Sequence, residues 1–129
     1  MRPWLIIAGI DGAVLILLGA YGAHDVALEA DSRRWFDTAW QYQALHAAAV
    51  LAIAVGIAQV GRIARIALNL AAVSFAVGTA LFCGSLYRMA LGGEALFPSS
   101  APIGGSAFIL GWALIAIAGF IAGRRAGAR

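Results

Sequence analysis

Residues Trp35–His46 read WFDTAWQYQALH and run without interruption into AAAVLAIAVGIAQ over 47–59. Between Ser32 and Val55 there is neither glycine nor proline, so nothing breaks a helix across the junction of the polar, aromatic segment and the apolar one. At 1.5 Å per residue such a helix is roughly 40 Å long, more than the roughly 30 Å of a bilayer's hydrocarbon core. Its first turns must therefore stand outside the core or lie along the interface. At the helical period Trp35, Ala39, Tyr42 and His46 share one face while Asp37 and Gln41 fall opposite. Trp35, Trp40 and Tyr42 suit the headgroup level, where a ring can be half buried with its polar tip wet. The reading is an amphipathic interfacial segment over 32–43, with Asp31 or Ser32 as N-cap, leading into a membrane helix over 44–60.

The rest of the chain agrees with that solvent. Of 129 residues, 63% are hydrophobic and 12% charged, and the mean hydropathy is +0.89, far from the mix of an ordinary soluble domain. Three further apolar runs, at about 4–23, 66–91 and 106–122, have membrane-crossing length. The fold class is all-α, an integral membrane bundle of four transmembrane helices forming a single domain. The first run has a basic start and small residues at Ala20 and Ala23, as a signal peptide would, but Asp11 interrupts its apolar centre, so it is read as the first membrane helix. Pro3 is tolerated in its first turn. The third run carries Asn69, Ser74, Thr79, Cys83, Ser85 and Arg88, and Gly92 and Gly93 end it. The segment EALFPSSAPIGG (94–105) reads as an ordered turn or re-entrant piece, with Gly104 and Gly105 letting the fourth helix start.

All nine cationic side chains are arginine. They lie in loops and tails rather than in a basic patch interleaved with aromatic residues, which argues against a nucleic-acid partner. Four crossings place Arg2, Arg62, Arg65, Arg124, Arg125 and Arg129 on one side and Arg33, Arg34 and Arg88 on the other; the positive-inside rule then puts both termini in the cytoplasm. Cys83 is the only cysteine, so no intrachain disulfide can form.

An ionisable group inside a membrane helix is a functional candidate, because burying it costs about 2.5–3.5 kcal/mol on insertion scales. Asp11 is the sharpest case. Seven residues past Trp4, it should lie about 10 Å from the cytoplasmic edge, at the depth of Asn69 on the third helix, which makes Asn69 its expected partner, with Arg62 or Arg65 reaching inward as the second choice. A second cluster is expected at the opposite boundary, where His24 closes the first helix, Tyr42, Gln43 and His46 open the second, and Ser85, Tyr87 and Arg88 approach the end of the third. The plainer reading is that Asp11, Tyr42 and His46 make structural bonds between helices while Arg88 snorkels to the headgroups. Two histidines and Cys83 lack the close spacing of a metal site, and no Walker loop, GxSxG, HExxH or dinucleotide fingerprint is present. No catalytic residue, metal or cofactor is expected.

Four segments, GAYGAH (19–24), TAWQYQALHA (38–47), LFCGSLYRMAL (81–91) and PIGGSAFILGW (102–112), together resemble the YgdD family of small bacterial inner-membrane proteins. That resemblance implies a four-helix membrane protein and, since the family is one of unknown function with eukaryotic relatives as well as bacterial ones, it implies little about activity. The matching positions are Gly22, His24, Tyr42, Gln43, His46, Gly84, Ser85, Tyr87, Pro102, Gly104, Gly105, Gly111 and Trp112. Cys83 stands where the family pattern suggests serine, and Arg88 where it suggests an apolar residue. The expected function is a non-enzymatic membrane protein that self-assembles or joins other membrane proteins among the bilayer lipids. The alternative is a pathway for a small solute, protons or lipid, using Asp11 and the His24, Tyr42, His46 cluster.

Overall fold

The computed structural model describes residues 2–24 and 27–126. Four helical spans account for nearly all of them: α1 (Arg2–His24), α2 (Ala30–Gly56) extended by a 3-10 turn at Ile57–Gln59, a third span made of α3 (Arg62–Gly78), a π-helical segment (Thr79–Cys83) and α4 (Gly84–Ala90), and α5 (Ser100–Ala126). Each is long and apolar enough to cross a membrane. Among the described residues there is no strand. In lipid this outcome follows from the backbone, since only a helix satisfies all its own N–H and C=O groups without water or a neighbouring strand.

α2 is one unbroken helix through the interfacial segment and the membrane segment, as the absence of glycine and proline over Ser32–Val55 leads one to expect. Its start is earlier than expected: Glu29, in extended conformation, is the N-cap and makes no side-chain capping bond, so neither Asp31 nor Ser32 caps it. The buried face is Phe36, Ala39, Gln43, His46, Ala47, Val50, Ile53 and Ala54, a helical stripe, and it is rotated from the expected one. Trp35 is only half buried and Tyr42 is exposed, while Phe36 and Gln43 take the inward places. The reversal has a simple cause: against hydrocarbon a polar side chain such as Gln43 is costlier outside than inside, where neighbouring helices supply its bonds.

α1 and α2 form an antiparallel pair fitted by small residues. A side chain at Gly22 would run into the Phe36 ring, and one at Gly19 into the Trp40 indole at 2.8 Å. The Trp40 indole N–H donates to the Leu15 carbonyl at 3.0 Å, and the Arg33 guanidinium donates to the Gly22 carbonyl at 2.9 Å, where the last turn of α1 has no amide of its own to offer. The third span and α5 interlock by the same device. Phe108 of α5 lies over Gly78, Phe75 of α3 lies over Gly111, and the backbone of Phe82 meets Gly104. The expected turn at Gly104–Gly105 is instead helix: α5 begins at Ser100, Pro102 sits in its first turn where its missing N–H costs nothing, and Gly104 serves close approach to the π-helical segment. Gly92, with φ +86, ends α4 in the left-handed conformation that glycine adopts freely.

α2 and the third span form the centre of the bundle, with 44% and 39% of their membrane windows buried, whereas α1 and α5 flank them with 11% and 17%. α1 leans mainly on α2, and α5 on α3 and the π-helical segment.

Candidate functional site

Asp11 is the tenth residue of α1 and Gln43 the fourteenth of α2. Each lies thirteen residues from its own end of the α1–α2 connection, so antiparallel packing brings them to one level about 20 Å from that connection. Gln43 Nε2 donates to Asp11 Oδ1 at 2.6 Å and reaches the Asp11 carbonyl at 3.4 Å. Gln43 Oε1 in turn accepts the Tyr87 hydroxyl at 2.8 Å. Three helices are thus tied by a directional chain in which each donor points toward the Asp11 carboxyl. Phe36 closes the chain from one side, its ring 5.0 Å from that of Tyr87 in an edge-on contact.

The expected pairing of Asp11 with Asn69 does not occur. Asn69 Oδ1 accepts the Trp4 indole N–H at 2.8 Å, and its amide donates back to the Arg65 carbonyl at 2.9 Å. Helical rise alone placed Asp11 and Asn69 at comparable depth; it said nothing of which acceptor lay closer, and Trp4, seven residues nearer the start of α1, projects a long donor toward Asn69.

One turn beyond Gln43, His46 lies 2% exposed in an aromatic nest. Its ring stacks on Phe108 with centroids 3.6 Å apart and planes 11° from parallel, and touches Phe75 at 5.0 Å. His46 Nδ1 stands 2.7 Å from the Tyr42 carbonyl, and the Trp112 indole N–H donates to His46 Nε2 at 3.2 Å. A carbonyl can only accept and an indole N–H can only donate, so the proton sits on Nδ1 and Nε2 bears a lone pair. Both ring nitrogens are occupied by helix-to-helix or within-helix bonds. The remaining members of the expected outer cluster scatter. Ser85 shares a buried 2.6 Å hydrogen bond with Ser100 and accepts a longer one from the Leu96 amide at 3.4 Å. His24 is exposed at the end of α1, and Arg88 is exposed near the end of α4, its carbonyl accepting from the Gly93 amide at 2.9 Å.

Sequence reading missed three partners. Ser100 falls in the segment whose two prolines read as an ordered turn or re-entrant piece. Trp4 and Trp112 read as helix residues with no partner assigned. A search for buried acceptors within reach of indole donors at matched depth would have found both, since Trp N–H groups in membrane helices need partners. Two grooves flank the polar centre. One, of about 460 Å³ between α2 and α5, is lined by Tyr42, His46, Phe82, Phe108, Ile109 and Trp112 among others. The other, of about 300 Å³ between α1 and the third span, holds Asp11 and Thr79 among apolar residues. Among the described residues no group of three or more His, Cys, Asp and Glu side chains comes together.

The family model described as a protein of unknown function (DUF423) matches residues 18–105, a stretch that contains Gln43, His46, Ser85 and Tyr87 but neither Asp11 nor Trp112. The chain belongs to this family. Among relatives, it is 40% identical over 118 residues to the UPF0382 inner membrane protein YgdD of Escherichia coli K12, covering 90% of this chain and 88% of the relative. It is 34% identical over 121 residues to a UPF0382 membrane protein of Haemophilus influenzae, covering 92% and 94%, and 30% identical over 122 residues to one from Staphylococcus saprophyticus, covering 93% and 98%. No solved structure matches. The DUF423 chain is therefore a polytopic membrane protein of an uncharacterised family.

Proposed function

We propose that this protein is a non-enzymatic subunit of the bacterial inner membrane that works by helix association, with itself or with other membrane proteins, with both termini in the cytoplasm. The observation that carries the reading is that no buried side-chain nitrogen or oxygen among the described residues lacks a hydrogen-bond partner. The buried polar side chains are engaged in joining helices, Gln43 to Asp11 and Tyr87, and His46 to Trp112. The flanking helices supply the surface: α1 and α5 are mostly exposed, and Gly9, Gly12, Gly119 and Gly123 face open space, with Gly119 and Gly123 at the spacing that permits close helix crossing. The inner-membrane placement rests on the relatives so named, and the orientation on the arginine bias.

Crosslinking in native membranes followed by mass measurement tests it. A discrete oligomer or a recovered membrane partner, lost in a Gly119→Ile, Gly123→Ile double variant that still folds, is the expected result. A strictly monomeric protein with no crosslinked partner overturns it.

A further inference from the structure

The groove between α1 and the third span contains a carboxyl that the bundle satisfies at one oxygen. Asp11 Oδ1 takes the Gln43 amide, while Oδ2 accepts no hydrogen bond from a described residue. The ion pairs among the described residues, Arg33–Asp37 and Arg34–Asp31, lie elsewhere. By helical rise Asp11 stands about 14 Å from one end of α1 and about 20 Å from the other, so it lies deep in the hydrocarbon layer rather than near an interface. A carboxyl at that depth needs either a proton of its own or a cation beside it, and among the described residues no cationic side chain pairs with it.

The walls around it define what could. Ile7, Ile10 and Val14 of α1 face Ala76 and Ala80 of the third span, and the Thr79 hydroxyl is the only other polar side chain in the groove. One carboxyl and one hydroxyl are too few oxygens for a hard metal ion, which takes six or more. Apolar walls also give no replacement for the water that a small hydrated cation would have to shed. An organic cation meets both requirements, because its charge is spread, weakly hydrated and attached to hydrocarbon that the isoleucine, valine and alanine surfaces can cover.

We propose that the α1–α3 groove is a binding site for lipophilic monovalent organic cations of the alkylammonium class, with Asp11 as counter-ion. This site is independent of the assembly reading above, since none of Gly9, Gly12, Gly119 and Gly123 lines the groove.

The test uses the full-length protein in nanodiscs of zwitterionic lipid, titrated calorimetrically with hexyltrimethylammonium and, in parallel, with hexanesulfonate. Saturable 1:1 binding of the cation and none of the anion is expected. Asp11→Asn retains an oxygen for the Gln43 amide and so keeps the helix tie, yet should weaken binding about tenfold or more. Ala80→Leu leaves the carboxyl in place, fills the groove and should weaken binding as well, whereas Trp112→Phe in the opposite groove should leave it unchanged. Cation binding that is absent, or that survives Asp11→Asn at full strength, or that the sulfonate matches, overturns the proposal. Thermal unfolding of each variant distinguishes a lost site from a lost fold.

Discussion

The Trp112 indole N–H reaches His46 Nε2 at 3.2 Å across the groove between α5 and α2, and this single bond decides the chemistry open to the histidine. With Nδ1 committed to the Tyr42 carbonyl at 2.7 Å, the ring is held as the Nδ1–H tautomer, wedged between Phe108 and Phe75. Nitrogen-15 spectra of histidine-labelled protein should show one fixed tautomer for His46. In Trp112→Phe the Tyr42 carbonyl still holds the proton on Nδ1, so the tautomer should persist while Nε2 loses its donor and stability should fall by about 1 kcal/mol, the scale of interhelical hydrogen bonds in membranes.

Gln43 is the shared partner of Asp11 and Tyr87, and a shared partner makes mutational effects non-additive. Gln43→Met keeps the shape of the side chain while removing both bonds; it should cost about 1–3 kcal/mol, because two polar groups lose their partner at once. Tyr87→Phe should cost about 1 kcal/mol in the parent and close to nothing in the Gln43→Met background. Equal costs in both backgrounds, measured by reversible unfolding in mixed micelles, would show that the Tyr87–Gln43 bond contributes nothing.

The glycines divide into two kinds, and the division predicts opposite outcomes for the same substitution. At Gly104 an added methyl would meet the Phe82 backbone amide, which cannot rotate away as a side chain would. Gly104→Ala should push α5 off the π-helical segment and cost about 1–3 kcal/mol. At Gly119 nothing lies within 4 Å, so Gly119→Ala should leave the unfolding temperature of the isolated protein within the small range of surface changes, about 0.5 kcal/mol either way. Differential scanning fluorimetry on the two purified variants checks both.

Length and hydropathy made the four spans legible, and the absence of glycine and proline through Ser32–Val55 made α2 legible as unbroken. The same sequence was less clear about facing. Amphipathic reading assumes water on the polar side, so it grouped Trp35 and Tyr42 with His46 on one face and gave Phe36 no role, although Gln43 was already in the expected cluster; in lipid the polar side chain goes to the helix interface. Depth arithmetic from chain ends was also too coarse. It assigned Asp11 and the His46 region to opposite boundaries, although Gln43, three residues from His46, bonds Asp11 directly. The π-helical segment left no sequence signal, since Thr79–Cys83 is ordinary apolar helix by composition, and Gly104 read as a turn residue because close backbone approach and chain reversal both call for glycine.

Cys83 offers a probe of how firmly the third span is packed into the bundle. It is 1% exposed, lies at the end of the π-helical segment and is the only thiol in the chain, so a membrane-permeant maleimide can reach it only when the third span separates from its neighbours. In native membranes Cys83 should remain unlabelled by N-ethylmaleimide on the timescale that fully labels an exposed reporter, Glu94→Cys in a Cys83→Ser background, and should label promptly after denaturation in SDS. Because local opening, rather than global unfolding, sets the rate, Gly104→Ala should accelerate labelling strongly by prying α5 from Phe82. Gly119→Ala should not change it. Prompt labelling of the parent protein would mean that the Phe82–Gly104 contact opens freely in the membrane, and the stability difference argued for the two glycines would then have no structural basis.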